Sequence, residues 1–232
     1  MVERQESLLT APDAVFRVWR HRLKIEFDAA AAFRALARDL QSLYGENDPV
    51  AQLSLEAAAD EIRHADLCRR ILSHDPDHEF QGDALAELRL GPERKLLVRQ
   101  ALYNAVAMGC VTESLSTALL IEMKKRAARG VIHDTVHEIA VDEVNHSRIG
   151  WAQLARAAGE DDIQWLAPHV TKMIQVALNE EIDPLVVDRG YTPDLSEWGI
   201  LPRTEALGIM REVVEEVVRP GLRHFGLKFA SA

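Results

Sequence analysis

The five-residue motif Asp-Glu-x-x-His occurs twice in the sequence, with residue types and spacing that suit metal binding. Residues 60–64 read Asp-Glu-Ile-Arg-His, and residues 142–146 read Asp-Glu-Val-Asn-His. In a helix, a glutamate and a histidine three residues apart lie one turn apart on the same face, with about 5–6 Å between their Cβ atoms. Both side chains of one motif can therefore reach a single metal ion or two adjacent ions.

The apolar periodicity predicts four long helices that would position these motifs. The first runs from about Phe16 to Tyr44, and the second begins at Asp48-Pro49, a helix N-cap followed by a first-turn proline. The third is opened by Pro92 and runs to about Ala128. After a turn at Arg129-Gly130, the fourth runs to Gly159.

Each predicted helix has one glutamate inside its apolar stripe; the four are Glu26, Glu61, Glu113 and Glu143. A buried carboxylate costs several kcal/mol unless it is paired or bound to a metal. The first two glutamates are about equally far from the first turn, and the last two are about equally far from the third turn. In antiparallel hairpins all four carboxylates would therefore lie at similar depth.

The connections predict an all-α four-helix bundle with one long crossover, because a short turn, the long segment 73–91 and a second short turn join the helices. Two C-terminal helices are predicted after the bundle. One spans Trp165 to Val187, and the other runs from an N-cap at Thr204 to Val218, where Arg219-Pro220-Gly221 would break it. We expect an N-terminal arm over 1–12 and one domain over 13–232, with the bundle at about 13–158 and a helical cover at 159–232.

The composition excludes several classes of protein. A formal net charge of −10 argues against a nucleic-acid partner, which would require a basic face. No apolar run approaches the roughly 18 residues of a membrane span, and no signal-peptide pattern opens the chain. Only two cysteines are present, Cys68 and Cys110, so no disulfide framework is possible. We expect a cytoplasmic protein without a membrane span.

With Glu26, Glu61/His64, Glu113 and Glu143/His146 in these places, the chain resembles the ferritin-like di-metal carboxylate superfamily. The resemblance implies a ferritin-like bundle that binds two iron ions through these six residues, with manganese or a mixed manganese–iron pair as alternatives. It also implies that Glu61 and Glu143, the expected catalytic pair, bridge the ions, while Glu26 and Glu113 are terminal ligands. By the same resemblance, Asp60 would hold His146 and Asp142 would hold His64.

The function implied by this resemblance is that of a di-iron oxidase or oxygenase. It would use dioxygen and an external electron donor to oxidise a small organic substrate. We expect a monomer or a small homo-oligomer. Two alternatives stay open at this point: a ferroxidase or iron-storage protein, and a peroxidase like rubrerythrin. An N-oxygenase of the aminobenzoate type is disfavoured, because its additional histidine is replaced here by Ile139.

Several other side chains give weaker indications of a functional role. His169, Glu180 and Glu181 are predicted to lie on a solvated face of the fifth helix, and the two cysteines are predicted to be inert core residues. The small residues Gly109 and Ala29–Ala32, close to Glu113 and Glu26, fit either a substrate cavity or close helix packing.

Overall fold

The computed structural model describes residues 13–75, 88–92, 95–160, 162–182 and 194–229. Within these ranges the regular elements are helices and no strand is present, which confirms the predicted all-α fold. The bundle helices are α1 (Asp13–Tyr44), α2 (Pro49–Leu72), α3 (Leu97–Arg126) and α4 (Val131–Glu160). Two more follow: α5 (Ala167–Ile182), and α6 (203–224), which is built from Arg203–Val213, Val214–Val218 and Arg219–His224. The predicted arm over 1–12 lies outside the described residues.

The turn between α1 and α2 has the predicted chemistry. Gly45 follows α1 with a φ of 97°, a conformation that glycine adopts without strain. Asp48 caps α2 by accepting the backbone N–H groups of Val50 and Ala51. Its other carboxylate oxygen accepts a hydrogen bond from Arg156 Nη2 at 2.7 Å, which ties this turn to the end of α4.

The prediction that Pro92 opens the third helix is wrong, since α3 begins at Leu97. Side chains of α3 instead hold the preceding segment alongside the helix. Asn104 Oδ1 accepts the Leu90 N–H at 3.1 Å, and Gln100 Nε2 donates to the Leu90 carbonyl at 3.3 Å. Residues 88–90 of this preceding segment are not helical.

Helix α3 contains a π-helical segment, Val106–Thr112, which the sequence analysis did not predict. Thr112 Oγ1 donates to the Ala107 carbonyl five residues earlier, at 3.1 Å, and so closes the widened turn. The segment ends directly before Glu113. One inserted residue rotates the later side chains by about 100° around the helix axis. The segment therefore sets the direction in which Glu113 points.

The C-terminal helices differ from prediction at their ends. Helix α5 begins at Ala167, two residues later than predicted, and residues 183–187 lie outside the described part of the chain. Helix α6 begins at Arg203, so Thr204 is inside it and is not its N-cap. The predicted break at Arg219-Pro220 is absent, because a π-helical turn just before Pro220 accommodates a residue that has no N–H.

The apolar core is divided at the depth of the four glutamates. One buried cluster joins the start of α1 to the end of α2 and includes Trp19 and Ile71. A second joins the end of α1 to the start of α2 and includes Phe33 and Ala57. A third lies between α3, α4, α5 and α6. Leu53 on α2 lies outside these clusters and is 44% exposed.

Helix α3 is long and apolar enough, by composition, to cross a membrane. However, 67% of its most apolar window is buried inside the protein. This is the pattern of a helix at the centre of a bundle, and it adds only weak evidence for a span.

Candidate metal centre

Six side chains from the four bundle helices meet in one buried cluster. Glu26, Glu61, His64, Glu113, Glu143 and His146 are each between 0% and 3% exposed. Their potential ligand atoms form two groups, each within 4.8 Å: one contains Glu26, Glu61, His64 and Glu143, and the other contains Glu61, Glu113, Glu143 and His146. Glu61 and Glu143 belong to both groups. This is the arrangement required for two adjacent cations that share two carboxylates.

Both imidazoles direct Nδ1 into the carboxylate cluster. His146 Nδ1 lies 2.9 Å from Glu61 Oε1 and 3.0 Å from Glu143 Oε2. His64 Nδ1 lies 3.2 Å from Glu61 Oε2 and 3.5 Å from Glu26 Oε2. One nitrogen is thus available to each of the two cation positions.

The opposite ring nitrogens contact aspartates on the other motif's helix. His64 Nε2 lies 3.0 Å from Asp142 Oδ2, and His146 Nε2 lies 3.4 Å from Asp60 Oδ2. Each aspartate thus lies within hydrogen-bonding distance of the histidine of the other motif. An aspartate that accepts the Nε2–H fixes the tautomer and leaves the Nδ1 lone pair free for a metal.

Arg63 joins the two aspartates, a role that the sequence analysis did not predict. Its Nη2 donates to Asp60 Oδ1 at 2.8 Å and to Asp142 Oδ2 at 2.7 Å, while Nη1 donates to Glu138 Oε1 at 2.8 Å. Burial alone would raise the pKa of Asp142, but the hydrogen bonds from Arg63 and His64 lower it. Asp142 is therefore held as an acceptor for His64.

The pKa values of the four carboxylates shift in opposite directions. Against the effect of burial, Arg22 lowers the pKa of Glu26 and His146 lowers that of Glu143. Burial and the neighbouring Glu143 raise the pKa of Glu61 to about 7, and the same two causes raise that of Glu113 well above its ordinary value. Burial alone would lower the pKa values of the two histidines. Hydrogen bonds to the glutamates instead raise the pKa of His64 to about 11 and that of His146 to about 10. Glu61 and Glu113 are therefore the carboxylates that most need a further positive charge beside them.

The donor set fits a pair of divalent ions. Glu61 Oε1 is buried and accepts no hydrogen bond, although His146 Nδ1 lies 2.9 Å from it. Such an orphaned oxygen is costly unless a cation binds it. Carboxylates with imidazoles suit iron or manganese, whereas zinc and copper(I) sites more often use thiolates.

A buried ion pair next to the cluster escaped the sequence analysis. Arg22 Nε donates to Glu26 Oε1 at 2.5 Å, and Arg22 Nη1 lies 3.6 Å from Glu181 Oε2. Glu181 is only 7% exposed, so its predicted place on a solvated face is wrong, although Glu180 is exposed as expected. The four-residue spacing of Arg22 and Glu26 was the one available signal.

A cleft of about 120 Å³ opens beside the cluster, between α1, α3 and α5. Its apolar lining includes Ala29, Ala32 and Met108, with Thr112 directly before Glu113. Glu181 lies on its wall, and also on the wall of a smaller cavity of about 40 Å³. Ala29 and Ala32 therefore line a cavity.

Gly109 serves close helix packing instead. A Cβ atom there would lie 2.5 Å from the Gly150 backbone nitrogen.

Comparison with known proteins identifies the family. The family model described as Rubrerythrin matches residues 22–151, more than half of the chain. The chain belongs to the rubrerythrin family. The matched residues contain all six members of the cluster and both aspartates, and the resemblance to the ferritin-like di-iron superfamily is thereby confirmed. No curated protein matches the chain significantly, and neither does any solved structure.

Proposed function

We propose that this rubrerythrin-family chain is a non-haem di-iron enzyme that uses dioxygen to oxidise a small organic molecule. The observation that carries the proposal is the buried cluster of two Glu-x-x-His pairs and two further glutamates, with a cleft beside it. Two bound iron ions would supply redox electrons and coordination positions for dioxygen.

In this proposal the protein's own groups have separate roles. Glu61 and Glu143 would contribute to both positions, and Glu26 with His64, and Glu113 with His146, would complete one position each. Asp142 and Asp60 hold a proton on each Nε2 and keep each Nδ1 directed inward. The apolar clusters above and below exclude bulk water, which strengthens every charge interaction inside.

The cleft supports a small and largely apolar substrate. Alanine and methionine side chains line its inner part, while Lys24, Asp28 and Glu180 lie on its more exposed side. Thr112, which lines the cleft, directly precedes Glu113 in the sequence. A substrate seated there would lie next to the ligand helices.

A rubrerythrin-like peroxidase is the second candidate, and the family match favours it. Cys68 and Cys110 are both buried and unpaired, and no Cys-x-x-Cys pair exists in this sequence to carry electrons. Either activity would therefore draw electrons from an external donor. The two free cysteines also support our proposal of a reducing, cytoplasmic location.

The test loads the protein anaerobically with Fe(II), counts the iron, and mixes the protein with either dioxygen or hydrogen peroxide. We expect about two ions per chain and faster oxidation by dioxygen. Glu61→Ala should lose most of the iron, because both positions use Glu61, whereas exposed Glu56→Ala should lose none. Less than half an ion per chain in the folded wild type would refute the di-iron proposal. Faster oxidation by peroxide would favour the peroxidase.

A further inference from the structure

Arg22 is a buried cation placed where the chain would bind two more cations. Its side chain is 9% exposed, and its Nε donates to Glu26 Oε1 at 2.5 Å. Nη2 donates to Ser116 Oγ at 3.0 Å and lies 3.7 Å from Glu143 Oε1. One oxygen of Glu26 is therefore already engaged, and its other oxygen, Oε2, faces His64. Arg22 thus has its shortest contact with Glu26, which belongs only to the Glu26/His64 position, and a longer one with Glu143, which both positions share.

Glu181 supplies the opposite charge from outside the ligand helices. It lies on α5, its side chain is 6% exposed, and Arg22 Nη1 is 3.6 Å from its Oε2. Four ligand carboxylates cancel the charge of two divalent ions. The loaded site then carries the single positive charge of Arg22, and ionised Glu181 returns the total to zero.

We propose that the Arg22–Glu181 pair sets the affinity of the Glu26/His64 position for its divalent ion. This inference rests on the proposed di-metal function. Arg22 repels an ion at that position and withdraws negative charge from Glu26, while Glu181 offsets Arg22 and restores part of the affinity. The two cation positions are therefore unequal, and the Glu113/His146 position is less sensitive to the pair.

The charges involved are close enough to matter. Unit charges a few ångströms apart interact strongly even at an effective dielectric constant of about 20. Removing one of them should change a metal-binding constant by about tenfold, which corresponds to about 1.4 kcal/mol. Salt screening will reduce this little, because both side chains are buried.

The experiment titrates metal-free protein with Co(II) and follows both binding steps by calorimetry and visible absorbance. Arg22→Gln should raise the affinity of the Glu26/His64 position about tenfold, and Glu181→Gln should lower it about threefold to tenfold. The double variant should lie near the wild type. Glu180→Gln is the matched control, because Glu180 adjoins Glu181 but is exposed and has no ion pair with Arg22.

Single-position variants then assign the effect. In a His146→Ala background, which keeps the Glu26/His64 position, Glu181→Gln should still weaken binding. In a His64→Ala background its effect should be less than half as large on a logarithmic scale.

The outcomes separate the two proposals. Two Co(II) ions in the wild type, with shifts below twofold or of the same sign in both charge variants, would overturn the role of the pair and leave the di-metal site intact. Fewer than two ions in the folded wild type would overturn both. If Arg22→Gln does not fold, as judged by circular dichroism, the isosteric Glu181→Gln decides alone.

Discussion

Each histidine in the cluster is oriented by an aspartate from the other motif. The geometry requires α2 and α4 to lie side by side, so one Asp-Glu-x-x-His motif alone would lack its orienting partner. The two contacts are unequal, at 3.0 Å for Asp142 with His64 and 3.4 Å for Asp60 with His146. Arg63 also binds Asp142 through the same oxygen that faces His64. Asp142 is therefore the stronger orienting residue.

We expect Asp142→Asn to keep the fold and most of the iron while slowing oxidation of the Fe(II) protein by dioxygen. The amide is a weaker acceptor and no longer fixes the imidazole tautomer. Changes to such outer partners typically cost about 10–100-fold in affinity or activity. Stopped-flow absorbance and iron analysis would measure the two quantities. Asp60→Asn should have a smaller effect, because its contact is longer.

The control for this prediction is Asp66→Asn on the same helix. Asp66 is 56% exposed and pairs with Arg69 three residues later on the same helix, so neither the oxidation rate nor the iron content should change. A wild-type oxidation rate in Asp142→Asn would show that the aspartate does not orient His64.

The residues of the cluster were predictable because each follows the helical period of its own element. The three-residue spacing of Glu61 and His64 is visible in the sequence. Glu26 and Glu113 are recognisable because each interrupts an apolar stripe. Arg63 and Glu181 gave no such signal for the contacts they make, and for Arg22 the four-residue spacing from Glu26 was the only one. These side chains contact residues on other helices. Whether such a contact forms depends on how each helix is rotated about its axis, and the local sequence does not show this rotation.

At the scale of the elements, the π-helical segment of α3 is supported by a contact between two glycines. A Cβ atom at Gly150 would lie 2.4 Å from the Cys110 backbone nitrogen and 2.5 Å from the Ala105 carbonyl oxygen. These are backbone atoms and cannot rotate away. Because Gly150 lies one turn after His146, this contact also fixes the distance between α3 and α4 at the cluster.

We expect Gly150→Ala to lower the free energy of unfolding by about 1–3 kcal/mol, the usual cost of overpacking a core. It should also reduce the affinity for the metal of the Glu113/His146 position, because α3 must move away. Chemical denaturation and Co(II) titration would measure the two effects.

Gly208→Ala on α6 is the matched control. A Cβ atom there has no heavy atom within 4 Å, so alanine should stabilise the helix by up to about 1 kcal/mol. Equal stability of the two variants would contradict the close glycine contact.

The helices themselves were predictable, because apolar residues every three or four positions reveal a buried face. Gly45, Asp48 and Pro49 mark the first turn by their local chemistry. The π-helical segments at 106–112 and 214–218 were not predictable. An inserted residue shifts the apolar stripe by one position, and over a short window such a shift looks like an ordinary irregularity of the stripe.

At the scale of the whole molecule, α5 and α6 cover the side of the bundle formed by α3 and α4. They share with these helices a buried cluster that includes Leu115, Leu154 and Met210. We therefore expect a monomer or a small oligomer, because a shell built from bundles packed side by side needs those faces to be free. Light scattering coupled to size exclusion measures the mass. A hollow particle of many chains would instead favour iron storage.

Metal removal should weaken the whole fold, because the cluster joins all four bundle helices and separates two halves of the core. An ion that binds only the folded state, at a concentration about 100 times its dissociation constant, adds about 2.7 kcal/mol per site. For a domain of 150–250 residues, 1 kcal/mol shifts Tm by about 2–4 °C, so each site should contribute roughly 5–10 °C. Calorimetry of iron-loaded and chelator-treated protein would measure this difference.

Glu61→Ala should melt at nearly the same temperature with and without chelator, because both positions need that carboxylate. Equal Tm values for the loaded and chelated wild type would mean that the bundle does not depend on metal, and that protons and Arg22 alone hold the buried glutamates.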